Sequence, residues 1–195
     1  MSALVRHPAF FLAVSGAISA LLGSHFNHGN YGAAPHLGVY LVMTGLWFGL
    51  AIGLGVWWFR QASPKGAISI MLMTWVAWEM AVNVAMQIDG PLFEATGPSL
   101  LKSCFAGFVA GAVGAAVTWA GAAAFVASLR TKFAGTSVVA AGALLGLLLP
   151  ATNYFDGGAI LLVPWQSTVA GLLGLNMLEL GGRSSSSRVV LATGG

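Results

Sequence analysis

The sequence predicts an all-α fold, a polytopic transmembrane bundle of about six helices with both termini in the cytoplasm. Three observations predict it. First, 57% of the 195 residues are hydrophobic and only 7% are charged, where a soluble domain carries roughly 25%. Eight Lys+Arg and five Asp+Glu cannot cover the surface of a soluble protein of this length. Second, the mean hydropathy of +0.85 is concentrated in apolar stretches close to the ~20 residues that a spanning helix needs. Third, the basic residues are sorted. With the N-terminus inside, Arg6, Arg60, Lys65, Arg130, Lys132, Arg183 and Arg188 all fall on the cytoplasmic side, and Lys102 alone falls outside. That is the positive-inside distribution. The pI near 9.4 reflects a shortage of acids at a net charge of +3, so it is no footprint of a nucleic-acid partner. Soluble, disordered and nucleic-acid-binding classes are excluded together.

The first span runs from Pro8 to Phe26. Arg6, the apolar run and the small residues Ser19 and Ala20 also outline a cleaved signal peptide, but the run is longer than a usual h-region, and it is read as a span. The second runs from Leu37 to Phe59, the third from Ala67 to Ile88 and the fourth from Leu101 to Leu129. The fifth, Ser137 to Thr152, is shorter and meets Pro150 near its end. The sixth runs from Gly158 to Leu178. Turn-forming residues lie between them, over Asn27–Pro35, Gln61–Gly66, Asp89–Pro98, Arg130–Thr136 and Asn153–Gly157. Residues 1–180 form one bundle. Residues 181–195, with Ser184 to Ser187, read as a disordered cytoplasmic tail.

Small residues set the packing in lipid, where helices gain little by burying apolar surface against one another. Gly45, Gly49 and Gly53 stripe the second helix, and Gly107, Gly111, Gly114 and Ala115 mark the fourth. These faces serve either packing within the bundle or a homo-oligomer interface. Trp47, Trp57, Trp58, Phe59, Tyr154 and Trp165 are read as partly belt residues, those near span ends lying at the bilayer interfaces. Pro164 is expected to kink the sixth helix and free a carbonyl. Cys104 is the single cysteine, which excludes an intrachain disulfide and a cysteine metal site.

Glu79 is the one ionisable residue deep in an expected span. Such a group costs about 2.5–3.5 kcal/mol on insertion scales, and normally faces protein or a water cavity. Trp75, Glu79, Asn83 and Gln87 recur every four residues, so they share one face of the third helix. That stripe reads as the wall of a polar pocket opening outward, with Glu79 and Asn83 as catalytic candidates and Trp75 and Gln87 lining it. The competing reading is interhelical hydrogen bonding. His25, His28 and His36 cluster in or beside the first outer loop, and imidazole suits zinc, copper, nickel and haem iron. No HExxH or cysteine partner accompanies them. His25 and His28 read as solvated, and His7 as interfacial. His36 stands at the mouth of the second helix and can point into the bundle. GK[ST], GxSxG and Rossmann motifs are absent from the sequence.

His36-Leu37-Gly38, the Gly45 and Gly49 face, Arg60 with Ser63-Pro64-Lys65, and the aromatic Trp75-Val76-Ala77-Trp78 element occur in that order. Over about residues 5–128 the chain thereby resembles the small membrane isomerases typified by styrene-oxide isomerase and hydroxylaminobenzene mutase. The resemblance implies haem b with His36 as axial ligand, and isomerisation of an epoxide to an aldehyde on a small hydrophobic substrate. Glu79 and Asn83 would be polar substrate contacts. Where that family has an asparagine six residues after its histidine, this chain has Val42, and two further helices follow. Two other functions fit the residues: a small-solute or ion transporter using Glu79, and a non-catalytic membrane subunit docked through its glycine faces. A bacterial-type inner membrane is the expected location. The haem expectation gives a direct prediction. Protein purified in detergent after expression with haem supplementation shows a Soret band; a colourless preparation removes haem ligation by His36.

Overall fold

The computed structural model describes residues 7–26, 31–34, 39–41, 44–96, 99–154 and 158–192. Within these, side chains are described except at 26, 31–34, 39–41, 90–96 and 179–192. His28, His36, Arg6 and Asp156 lie outside the described residues, as do the side chains of Glu94, Arg183 and Arg188. Six helices follow one another: α1 (Pro8–Phe26), α2 (Thr44–Trp58), α3 (Pro64–Thr96), α4 (Leu100–Phe125), α5 (Lys132–Gly146) and α6 (Ala159–Ala192). Between α1 and α2 a small antiparallel ribbon pairs β1 (Tyr31–Ala34) with β2 (Val39–Leu41). Five of the helical segments are long and apolar enough to cross a membrane, and α2 is a shorter apolar helix. The molecule is a transmembrane helix bundle.

Several boundaries differ from the sequence expectation. The second helix starts at Thr44, not Leu37, because Val39, Tyr40 and Leu41 pair with Ala34, Gly32 and Tyr31 in the ribbon. Aromatic and β-branched residues favour that pairing, and Ala34, preceding Pro35, is biased toward extended backbone. The remaining 15 residues of α2 rise about 22 Å, less than the ~30 Å hydrocarbon core. The third helix begins at Pro64, the first-turn position that tolerates a missing N–H. Ser63 caps it, its Oγ accepting from the Gly66 N–H at 3.2 Å. The fifth begins at Lys132 because Thr131 caps it, accepting from the Ala134 N–H at 3.1 Å. It ends at Gly146, and Pro150 falls in a separate 3-10 segment, Leu149–Asn153. The fourth ends at Phe125 and is followed by a 3-10 turn, Ala127–Leu129. Arg130 there donates to the carbonyls of Ala123 (2.9 Å) and Ala124 (2.8 Å), which satisfies orphan acceptors at a helix C-terminus. The sixth helix runs through Pro164 without interruption, and its backbone stays helical to Ala192, past Leu178 and through Ser184–Ser187.

Each helix packs on its chain neighbours, and α6 returns to α1, so the six form a closed ring. The α2–α3 and α4–α5 connections share one end, which therefore carries Arg60, Lys65, Arg130 and Lys132. The ribbon lies at the other. At the basic end the chain leaves α2 through Arg60, the one non-glycine residue with positive φ (55°) among those described. The Arg60 N–H donates to Trp57 O (2.9 Å) and that of Gln61 to Val56 O (3.0 Å), the pair of bonds that defines a Schellman ending.

The ring is closed by glycine. A Cβ on Gly45 would lie 2.5 Å from Cβ of Trp78, and one on Gly53 would lie 2.8 Å from the Ala67 carbonyl oxygen. Gly45, Gly49 and Gly53 therefore seat α2 on α3. Gly107 and Gly111 of α4 face Gly146 and Gly142 of α5 backbone to backbone, a Cβ on Gly142 falling 2.7 Å from Gly111 O. Gly16 and Gly174 bring α1 and α6 together in the same way. Of the two readings of the glycine stripes, packing within the bundle is the one these contacts show: both stripes are occupied by helices of the same chain. Outside, Leu54, Ile68, Leu101, Phe105 and Phe133 are exposed, as a lipid-facing surface requires.

Trp165 is corrected too. It is only 4% exposed and sits inside the ring. Its indole N–H donates to Gly142 O at 3.0 Å, and its ring meets Phe48 and Trp78 edge-on at 5.7 and 5.9 Å. Its benzo edge rests on Gly114. One side chain of α6 thus touches α2, α3, α4 and α5. Trp57, Trp58 and Tyr154 are exposed near helix ends, as belt residues are.

A side chain at Gly111 is expected to part α4 from α5. Gly111→Val should cost about 1–3 kcal/mol by overpacking, read as a lower unfolding midpoint in bicelles. Gly171→Ala, whose Cβ would meet Ala13 Cβ at 3.2 Å and Ala9 O at 3.7 Å, should be nearly neutral, because about 1 kcal/mol of helix propensity offsets the one tight contact.

Candidate functional site

The polar stripe forms on α3 because four residues nearly complete a helical turn. Trp75 Nε1 donates to Glu79 Oε1 at 2.9 Å. Four residues on, the Asn83 amide donates to the Glu79 backbone carbonyl at 2.8 Å, which folds the amide back along its own helix. Trp75, Glu79 and Asn83 are half-buried and Gln87 is exposed. Glu79, Asn83 and Gln87 each have further partners, and so do His25 and Trp47. The stripe lies in the 26-residue apolar segment Pro64–Asp89. A carboxylate there is costly, and a donated indole N–H offsets part of that cost while fixing the carboxylate's direction. The strand β2 packs against α3.

An apolar cavity between α3, α4, α5 and α6 lies on a different face of the same helix. It is a half-open apolar pocket of about 110 Å³. From α3 it takes Trp78, Ala81, Val82 and Ala85, and from the other helices Ala110, Leu161 and Trp165. Trp75, Glu79, Asn83 and Gln87 are not on its wall. The sequence marked the polar face of α3 and missed the apolar one. The available signal was the four-residue spacing of Ala81 and Ala85, which leaves room beside Trp78.

Other polar residues serve packing. Ser19 and Gln166 join α1 to α6 through a 2.6 Å hydrogen bond to Gln166 Oε1. Ser103 donates to Asp89 Oδ1 at 2.9 Å, tying α4 to α3 at the ribbon end. Ser167 donates to Val163 O at 2.6 Å beside Pro164. His7 and His25 are exposed, and Cys104 is half-buried and free. Among the described residues no three His, Cys, Asp or Glu side chains converge as a metal site. His36, the axial-ligand candidate, lies outside those residues. No family model, curated protein or solved structure matches the chain.

The Trp75–Glu79 bond is measurable. In a double-mutant cycle of Trp75→Phe and Glu79→Met, followed by reversible unfolding in bicelles, a coupling of about 1–3 kcal/mol is expected for a bond to a charged group. A coupling near zero would show that the bond contributes nothing in the membrane.

Proposed function

We propose that the chain is a multi-pass membrane protein that handles a small molecule from the ribbon end, with Glu79 as the group that binds its polar part or exchanges a proton with it. One observation carries this: a carboxylate inside an apolar span, aimed by the Trp75 indole at 2.9 Å. A carboxylate in this setting accepts a proton, a cation or a donor group of a solute, and intramembrane ionisable residues generally mark such pathways. Asn83 and Gln87 continue the polar face toward the ribbon end. The distribution of basic residues supports a cytoplasmic placement of the opposite end.

A membrane isomerase is the second reading. It is favoured by the residues that resemble that family, His36-Leu37-Gly38 above all. In that case His36 would hold haem b, which supplies a Lewis-acid iron when bound, and Glu79 and Asn83 would orient a small hydrophobic substrate. Both readings make Glu79 indispensable, whereas a purely structural subunit would tolerate its replacement.

Glu79→Gln keeps the shape and the Trp75 acceptor but removes the titrating group. In proteoliposomes it should abolish proton-linked solute uptake, at least tenfold, while the unfolding midpoint stays within a few degrees of the parent. Unchanged uptake with intact folding would remove the transport role of Glu79.

A further inference from the structure

We infer that the apolar cavity between α3, α4, α5 and α6 is a binding site for a small, uncharged, apolar molecule of benzene-to-toluene size. It does not rest on the role assigned to Glu79, which is absent from the cavity wall.

The cavity is lined on the α3 side by Ala81, Val82 and Ala85, and on the others by Ala110 and Leu161. Trp78 and Trp165, packed edge-on at 5.9 Å, close its inner end. No lining residue carries a charge or a hydroxyl. The Trp165 indole N–H is taken by Gly142 O, and that of Trp78 is buried, with no partner among the described residues. A space with no polar partners does not hold water, and dry apolar cavities of roughly 150 Å³ take up benzene. This one is smaller, at about 110 Å³, and half open, so it seats a single ring without fully enclosing it.

The void is also one the protein cannot close. Gly107, Gly111 and Gly146 line it, and the same glycines form the α4–α5 contact. Larger side chains there would separate the two helices, and collapse of the wall would break the contact from the other side. An unfilled cavity destabilises in proportion to its volume, so an occupant that matches it is favoured. Six helices closed in a ring hold the walls apart. Two of these, α5 and α6, lie beyond the residues that resemble the membrane isomerases, so the cavity belongs to this chain's own architecture.

The probe is bromobenzene, a heavy-atom quencher of tryptophan, titrated into the full-length protein in lipid nanodiscs. A saturable quenching component from Trp78 and Trp165 is expected above the linear background of partition into lipid. Ala110→Leu and Ala85→Leu fill the cavity, and each should weaken that component at least tenfold with the unfolding midpoint unchanged or raised. Glu79→Gln should leave it unchanged. Purely linear quenching of the parent protein, or saturable quenching that survives in a folded leucine variant, overturns the inference. If both leucine variants unfold, the parent titration alone decides it.

Discussion

Backbone-to-backbone contact between α4 and α5, at Gly107 and Gly111 against Gly146 and Gly142, is the constraint from which the rest of the bundle follows. In lipid, helices gain little by burying apolar surface, because the tails outside are as apolar as the core. Association then depends on close packing and on hydrogen bonds. Glycine supplies the first at three seams, α1–α6, α2–α3 and α4–α5. The second comes from Ser19 to Gln166 and from Trp165 to the Gly142 carbonyl. The seam and the indole bond are linked, since Gly142 serves both. Displacing α5 would loosen the contact with α4 and withdraw the acceptor of Trp165 together.

Trp165 converts these pairwise contacts into a ring with a filled centre. A ring of six helices around small residues would leave an axial gap, and the large indole occupies it, with Phe48 and Trp78 packed against its faces and edges. Beside the indole, toward the ribbon end, a space between α3, α4, α5 and α6 persists as the apolar cavity. The same requirement for small residues that lets the helices touch therefore also creates the space.

The third helix carries two kinds of surface. Trp78, Ala81 and Ala85 face inward to the cavity, while Trp75, Glu79 and Asn83 form a polar file on an adjacent face. The shortness of α2 makes room for that arrangement, because the ribbon takes the place of its first turns. Non-helical backbone at membrane depth is tolerated only against protein or in a water-filled cavity, and a polar file on α3 suits either surrounding.

The sequence by itself determined the class, the number of helices, the sorting of basic residues between loops and the presence of one orientable carboxylate. Charge is so scarce that each charged residue could be interpreted alone. Ser63-Pro64 and Thr131 carried legible helix starts, although only the first was close to its expected position. The tertiary structure alone decided that Val39–Leu41 is a strand, which helix each glycine meets, that Trp165 is central rather than interfacial, and that the cavity lies beside the Glu79 stripe rather than on it. The reason is physical. In water, a helix displays its inner face by contrast with a polar outer one. In a membrane both faces are apolar, so periodicity cannot tell lipid from core, and only the packing of one helix on another fixes which side is which.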